Sequence, residues 1–194
     1  MSGCDILFRH FFVSWYRLPP GERPPRIVKG DIEVYVEAAG RSATDAWRVP
    51  EERQRGLAKQ VATMVEAARA DWPTYLEIDE VVSLAAIEAF DSHWTRPRIA
   101  EVVRSSDRAD FANDYLVLCC ELGAVIGEVM RQHLPSLEWL YSDPYWESSL
   151  WYAPTGGRIH PFHWAIKKMS SYGVDDGLRP KLLAGIESVQ RSEP

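Results

Sequence analysis

The chain has 194 residues, 46% of them hydrophobic, so it can bury a substantial core and suits one domain better than two. Its formal net charge is −6, and residues 61–194 hold twenty Asp and Glu against twelve Lys and Arg. Such a surface repels nucleic acid and anionic membranes and attracts basic partners. The three cysteines are an odd set that suits reduced thiols. We therefore expect a cytoplasmic protein that binds no nucleic acid, membrane or cofactor.

The first 45 residues are predicted to form a β-rich arm. Segments 6–16 and 26–36 are rich in β-branched and aromatic residues, and they flank the proline-rich sequence PPGERPP. This composition is typical of a loose hairpin or of two edge strands.

Three helices are predicted next. Pro50 suits the first turn of a long helix, in which apolar residues repeat at helical spacing. Thr74 and Glu77 have the spacing of a capping box, which predicts a second helix that continues to about residue 91. A third, shorter helix is predicted over residues 95–104.

The longest apolar stretch, residues 110–134, is predicted to be a central helix. Its apolar residues cover nearly the whole circumference, as burial on most sides requires. Glu121 and Glu128 are the exceptions, and their spacing places them on one narrow stripe. Gly123 and Gly127 lie beside that stripe and cost about 1 kcal/mol each relative to alanine. We therefore expect another element to approach the helix backbone closely there.

Beyond the central helix the apolar pattern has a period of two. Segments 137–141, 145–152 and 158–160, separated by turn sequences, predict a short antiparallel meander. Helices beginning at Pro161 and near residue 179 should follow. This order predicts an α+β fold, with a helical layer and a long central helix packed on a small antiparallel sheet and followed by C-terminal helices. The predicted parts of this single domain, 1–194, are the arm at 1–45, the helical part at 46–135, and the meander with two helices at 136–194.

A succession of short motifs runs from residue 122 to residue 168. It consists of Gly123-x-x-x-Gly127-Glu128 on a helix, Trp139 in a strand, a hairpin, and Pro161-Phe162 leading to Lys167. This succession resembles a group of uncharacterised bacterial domains, some of which occur as immunity-type proteins beside secreted or contact-delivered toxins. The resemblance implies a fold and a genomic setting rather than a catalytic activity. We interpret Gly123, Gly127, Glu128, Trp139 and Lys167 as structural residues.

Glu128 is the strongest candidate for a functional carboxylate, because a buried glutamate can have its pKa raised and act as an acid or base. The alternative is an ordinary ion pair with Arg131 or Lys167. A hydrolase with paired carboxylates would also need Glu121, but two helical turns separate it from Glu128 by about 10.5 Å, a marginal distance for such a pair. We therefore assign no catalytic residue.

His160 and His163 have a spacing that some metal sites use, but no third ligand is near in the sequence. We expect His160 to cap a helix and His163 to lie exposed. Cys119 and Cys120 lie on the apolar helix without a cationic neighbour that would lower a thiol pKa, so they are predicted to be inert core residues. No metal site is predicted.

Two acidic windows suit a binding surface. No Lys or Arg lies between Arg69 and Arg96, and none lies between Arg131 and Arg158. The second window contains aromatic residues at a turn, and large aromatics rimmed by charge are typical of interface hot spots. The alternatives are a solvated helix face and a core-packed hairpin. The predicted partner-binding residues are Glu77, Asp79, Glu80, Asp143, Tyr145, Trp146 and Glu147.

These observations favour a non-catalytic bacterial binding protein. We interpret it as an immunity protein that neutralises a cognate, basic toxin by direct protein–protein binding. The other class left open is a small hydrolase or transferase that uses Glu128 with His160. A cleft joining these two residues would favour the enzyme, whereas a closed core with an exposed acidic patch would favour the binding protein.

Overall fold

The computed structural model describes residues 7, 10–12, 27–29, 32–34, 51–110, 112–141, 145–170 and 177–191. Strands β1 (Ile27–Lys29) and β2 (Ile32–Val34) form an antiparallel pair. The helices that follow are α1 (Glu51–Asp71), α2 (Pro73–Leu76), α3 (Leu84–His93), α4 (Arg96–Ser105) and α5 (Asp114–His133). The chain continues with β3 (Leu137–Leu140), a 3-10 turn (Tyr145–Glu147), β4 (Ser149–Tyr152), β5 (Gly157–Ile159), α6 (Pro161–Lys168) and α7 (Leu178–Gln190).

Helix α5 is the centre of the fold, as its apolar circumference predicts. Thirteen of its residues are buried, because α1, α4, α6, α7 and β3 all contact it. Asn113 begins the helix, since its side-chain oxygen accepts a hydrogen bond from the Leu116 N–H at 3.0 Å. The carboxylates on this helix are therefore set among packed side chains rather than in a cleft.

The glycines of α5 mark two close contacts, which confirms the expected backbone approach. A Cβ atom added to Gly127 would overlap the Trp139 indole, and one added to Gly123 would lie 2.8 Å from the Phe162 Cα. Trp139 belongs to β3 and Phe162 to α6. The two glycines therefore let the sheet and α6 pack directly on the helix backbone.

The predicted second helix is wrong, because the chain forms two separate helices there. Helix α2 ends at Leu76, and Glu77 then has a left-handed backbone that cannot continue a right-handed helix. Thr74 donates its hydroxyl hydrogen bond to the Asp71 carbonyl instead of joining a capping box. Ser83 caps α3 by accepting the Ala86 N–H at 3.0 Å. The loop between α2 and α3 carries three of the six acidic residues of the first acidic window.

The predicted antiparallel meander is confirmed as a three-stranded sheet in the order β3-β4-β5. Trp139 lies opposite Leu150 in the first pair of strands, and Trp151 lies opposite Arg158 in the second. The segment before β4 differs from the prediction, since it forms the 3-10 turn rather than the start of a strand. This turn places Trp146 in the core, where its ring packs edge-on against Phe12 at a centroid distance of 5.3 Å.

The N-terminal arm differs from its prediction in part. The pair β1–β2 forms a hairpin within the second predicted segment, whereas Leu7, His10 and Phe11 in the first segment are helical. Leu7 and Phe11 are buried with Phe12 in the main core. The rest of residues 1–45 lies outside the described residues. The overall class is α+β, as predicted. Within the described part of the chain, every helix is too short or too polar to cross a membrane.

Candidate functional site

The surface between α2 and α3 carries exposed carboxylates. The acidic cluster, as we call it, consists of Glu77, Asp79 and Glu80, all of which are exposed. Residues 70–95 contain no Lys or Arg. The loop is held by local hydrogen bonds, since the Glu80 carboxylate accepts the Val82 N–H at 2.9 Å and the Ser83 hydroxyl donates to the Glu80 carbonyl at 2.8 Å. The acidic cluster is therefore presented by an ordered loop.

Glu77 occupies the least favourable backbone position in this cluster. Its φ is 54° and its ψ is 47°, and among the residues that the structure describes it is the non-glycine with a positive φ. The left-handed conformation costs an ordinary L-residue about 1 kcal/mol, which glycine would avoid. The strain lies in the Glu77 backbone, while its side chain stays exposed. This combination makes Glu77 a candidate for a role in binding rather than in folding.

A concave surface of about 430 Å³ adjoins Glu77. We call it the Tyr75 pocket, and its side chains include Tyr75, Glu77, Ser92, His93, Thr95 and Arg98. The Tyr75 and His93 rings lie with their centroids 5.0 Å apart. Burial lowers the pKa of His93, and the positive charge of Arg98 lowers it further, so the imidazole is neutral at pH 7. The Arg98 guanidinium donates to the His93 carbonyl at 3.3 Å.

Behind Tyr75 lies a buried carboxyl group that belongs to Glu121. This residue is 3% exposed, and one of its oxygens accepts the Trp72 indole N–H at 2.9 Å. Its other oxygen has no hydrogen-bond partner among the described residues. Burial raises the pKa of Glu121 to about 7, against a lowering by the Trp72 hydrogen bond and with a further rise caused by Asp71. Glu121 therefore belongs to the core rather than to a solvent-filled cleft.

Tyr75 links this buried acid to the surface. Burial raises the pKa of Tyr75, and the charge of Glu121 raises it further, so the phenol stays protonated at neutral pH. Trp94 approaches the phenol closely enough to lower its pKa in part, but without the geometry of a hydrogen bond. The Tyr75 hydroxyl oxygen is buried and has no hydrogen-bond partner among the described residues.

Glu128 forms the ordinary ion pair that the sequence left open. Its carboxylate lies 3.1 Å from the Arg131 guanidinium and accepts the Trp139 indole N–H at 2.8 Å. The sequence suggested a buried glutamate, but the Glu128 side chain is 29% exposed. The ion pair is therefore only partly buried. The buried lysine of α6 is Lys168, the neighbour of Lys167; Lys168 is 3% exposed and pairs with Asp91.

Glu128 lines a groove of about 310 Å³ between α1 and α5. Glu66, Arg69, Arg131 and Tyr141 also line it, so the groove is bordered by two ion pairs, Arg69–Glu66 and Arg131–Glu128. Glu121 and His160 do not line this groove. The two residue pairs considered for catalysis, Glu128 with Glu121 and Glu128 with His160, are therefore not brought together there.

His163 of α6 and His160, which immediately precedes that helix, are part of a packed contact. Their rings stack with centroids 4.8 Å apart, and the His163 Nε2 lies 3.1 Å from a carboxylate oxygen of Glu147. The expected exposure of His163 is wrong, since its side chain is 9% exposed. Burial lowers the pKa of His160 to about 3, with smaller lowering by His163 and Arg158. Within the described residues no group of three His, Cys, Asp or Glu is arranged to hold a metal ion.

The aromatic turn predicted as a binding hot spot is largely internal. Trp146 is fully buried, and Glu147 is occupied by His163. The Tyr145 hydroxyl lies 3.0 Å from the Cys120 sulfur. Asp143 lies outside the described residues. The second acidic window therefore does not present an exposed aromatic anchor, because these rings fill the space between the sheet, α5 and α6.

The cysteines of α5 are buried and unpaired by disulfides, as predicted. Burial raises the pKa of Cys120 to about 12, against a lowering by the Tyr145 hydrogen bond. A thiol with so high a pKa carries almost no thiolate at neutral pH, so Cys120 is an inert core residue.

Asp91 has a structural role that the sequence did not suggest. Its carboxylate accepts the Leu178 N–H at 2.6 Å, which satisfies the start of α7, and its other oxygen lies 2.8 Å from the Lys168 ammonium. Gly177, which precedes α7, offers no capping side chain of its own. The glycine before α7 was the signal in the sequence that the cap of this helix must come from a residue elsewhere in the chain. Asp91 therefore does not contribute to the acidic cluster.

No protein-family model matches this sequence, and no curated protein or solved structure is detectably similar to it. The candidate site is therefore defined by its own geometry. It consists of the acidic cluster, the strained Glu77 and the adjoining Tyr75 pocket.

Proposed function

We propose that this protein binds and neutralises a basic protein partner through the acidic cluster. The observation that carries the proposal is Glu77, a carboxylate kept on the surface at a backbone position that favours glycine. Asp79 and Glu80 extend the same negative surface on an ordered loop. The expected resemblance of residues 122–168 to uncharacterised bacterial domains, some of which occur as immunity-type proteins beside toxins, is the reason for proposing a cognate toxin as the partner.

The physical basis of this function is electrostatic steering. Exposed like charges on one face raise the rate at which an oppositely charged protein is captured, and the effect weakens with added salt. Charge at the rim of an interface acts mainly on association, whereas desolvated contacts near its centre govern dissociation. The acidic cluster can speed association. The adjoining Tyr75 pocket offers a concave surface where a desolvated contact can slow dissociation.

The geometry supports a hydrolase or transferase less well. Glu128 is held by Arg131 and Trp139, and His160 is buried beside His163. Neither the Tyr75 pocket nor the groove between α1 and α5 contains both Glu128 and His160. An acid and a base that share no substrate-sized space cannot act on one bond. Binding is therefore the function that we carry forward.

Co-expression with the product of the neighbouring gene tests the proposal. We expect a stable complex, whose association rate is measured by surface-binding kinetics at several salt concentrations. Reversing two charges with Glu77→Lys and Asp79→Lys should slow association by about three- to tenfold and flatten its salt dependence. The matched control is Glu138→Lys with Glu187→Lys, which changes the net charge equally at exposed positions outside the acidic cluster.

Circular dichroism of each variant confirms that it is folded before its kinetics are interpreted. A failure of the two proteins to form any complex would overturn the proposed function. Equal slowing by both double variants would show that net charge, rather than the acidic cluster, governs capture.

A further inference from the structure

We propose that the Tyr75 pocket receives one lysine or arginine side chain of the partner, with its cation between the Glu77 carboxylate and the Tyr75 ring. This inference rests on the proposed function and deepens it, because it assigns the central contact of the interface. The pocket volume of about 430 Å³ falls within the range of small-ligand sites, about 300 to 1,000 Å³. A single long side chain therefore fits it.

The aromatic walls of the pocket suit a cation. The Tyr75 and His93 rings meet at 49° with centroids 5.0 Å apart, so they form a corner rather than a closed stack. A cation within about 6 Å of an aromatic centroid is attracted by the negative face of the ring. The protein already makes such a contact elsewhere, since the Lys181 ammonium lies 4.6 Å from the centroid of a Trp164 ring.

One polar group of the pocket attracts positive charge. The Glu77 carboxylate lines the pocket and belongs to an exposed residue, whereas the Tyr75 hydroxyl oxygen is buried, so Tyr75 can offer a ligand only its ring. His93 adds no charge at pH 7, because burial and Arg98 lower its pKa. A ligand cation would therefore exchange water for the Glu77 carboxylate and an aromatic ring face.

Arg98 carries a positive charge at the pocket, opposite in sign to that of Glu77. The two residues therefore have opposite predicted effects on the binding of a cation. Its guanidinium lies at the pocket and is held by the His93 carbonyl at 3.3 Å. A bound cation would be repelled by this group, whereas a bound anion would be attracted to it. Neutralising Arg98 must therefore strengthen binding of a basic side chain and weaken binding of an acidic one. Neutralising Glu77 must do the opposite.

The test uses two fluorescein-labelled decapeptides with the full chain, followed by fluorescence anisotropy at pH 6.5. One is made of lysine, and the other of 2,4-diaminobutyric acid, whose ammonium groups are carried on side chains two methylenes shorter. Both peptides carry the same charge, so an acidic surface without a pocket binds them alike. We expect the lysine peptide to bind about threefold tighter or better, because only its ammonium groups can reach the aromatic walls.

Two charge-neutralising variants complete the test. Glu77→Gln should weaken binding of the lysine peptide by about fivefold or more, and Arg98→Gln should strengthen it by a similar factor. Glu138→Gln is the matched control for Glu77→Gln, since Glu138 is exposed and lines neither the Tyr75 pocket nor the groove between α1 and α5. It should change binding by less than about twofold.

Equal binding of the two peptides, or an unchanged affinity in Arg98→Gln, would overturn the pocket proposal. That result would leave the complex with the neighbouring gene product to be judged by its own experiment. Conversely, discrimination between the peptides without any such complex would support the pocket and refute the proposed partner.

Discussion

At the scale of single residues, Glu77 is the position where folding and binding have opposite requirements. Glycine at this helix end would avoid the strain of the left-handed conformation, whereas glutamate supplies charge to the pocket. We predict that Glu77→Gly raises the free energy of unfolding by about 0.5 to 1 kcal/mol, measured by urea denaturation. Glu77→Ala, which keeps the Cβ atom, is the control and should show no such gain. Equal stability of both variants would contradict the assignment of strain.

Glu121 is the second informative residue, because its ionisation is coupled to folding. Its folded pKa of about 7 lies above its ordinary value of 4.5, chiefly because burial disfavours the carboxylate. The stabilisation of the folded state by protonated Glu121 is therefore fully present below about pH 4.5. It is lost as the pH rises through 7. Between pH 5 and pH 8 this loss should amount to roughly 2 kcal/mol.

We predict that Glu121→Gln removes this part of the pH dependence, because glutamine cannot ionise and its carbonyl still accepts the Trp72 hydrogen bond. Urea denaturation at pH 5 and pH 8 measures the difference. Glu128→Gln, which replaces the more exposed carboxylate of the same helix, should retain the loss seen in the unmodified protein. If Glu121→Gln loses as much stability between pH 5 and pH 8 as the unmodified protein does, Glu121 is not the group whose titration causes the loss.

At the scale of elements, the packing of β3 on α5 depends on the space left by a missing side chain. We predict that Gly127→Ala lowers the free energy of unfolding by about 2 to 3 kcal/mol, because its methyl group would overlap the Trp139 indole. Gly56→Ala is the matched control within helix α1. An added Cβ there meets no atom within 4 Å, so the change should stabilise the helix by about 0.5 to 1 kcal/mol. A mild effect of Gly127→Ala would mean that the sheet moves freely away from α5.

At the scale of the whole molecule, α5 is the element whose opening exposes the most apolar surface. Its neighbours cover it on nearly all sides, whereas β5 has two exposed residues and lies at the edge of its sheet. We predict that amides from Leu122 to Val129 exchange with solvent last and only by global unfolding. Hydrogen exchange monitored by NMR measures this order. Exchange of these amides before those of β5 would refute the central placement of α5.

The sequence by itself predicted the elements whose signals are local. The apolar circumference of α5, the helices α1, α4 and α7, and the three-stranded meander follow from periodicity and from helix-starting residues. The close approach to Gly123 and Gly127 was also predicted, since two costly glycines on a buried helix imply a neighbour. Of the candidate site, the exposed acids Glu77, Asp79 and Glu80 were identified correctly as surface charges.

The tertiary structure alone decided which polar and aromatic groups meet. In the sequence, Trp146 and Glu147 suggest an exposed turn. In the structure, Trp146 packs against Phe12 in the core and Glu147 contacts His163 of α6. The sequence does not reveal this, because the pattern within one segment does not show which elements will cover it. Asp91 bonds to an amide 87 positions away, and no local pattern encodes such a partner. The left-handed Glu77 and the Tyr75 pocket likewise arise where α2, α3 and α4 meet, because burial and strain are properties of assembled elements rather than of any one stretch of chain.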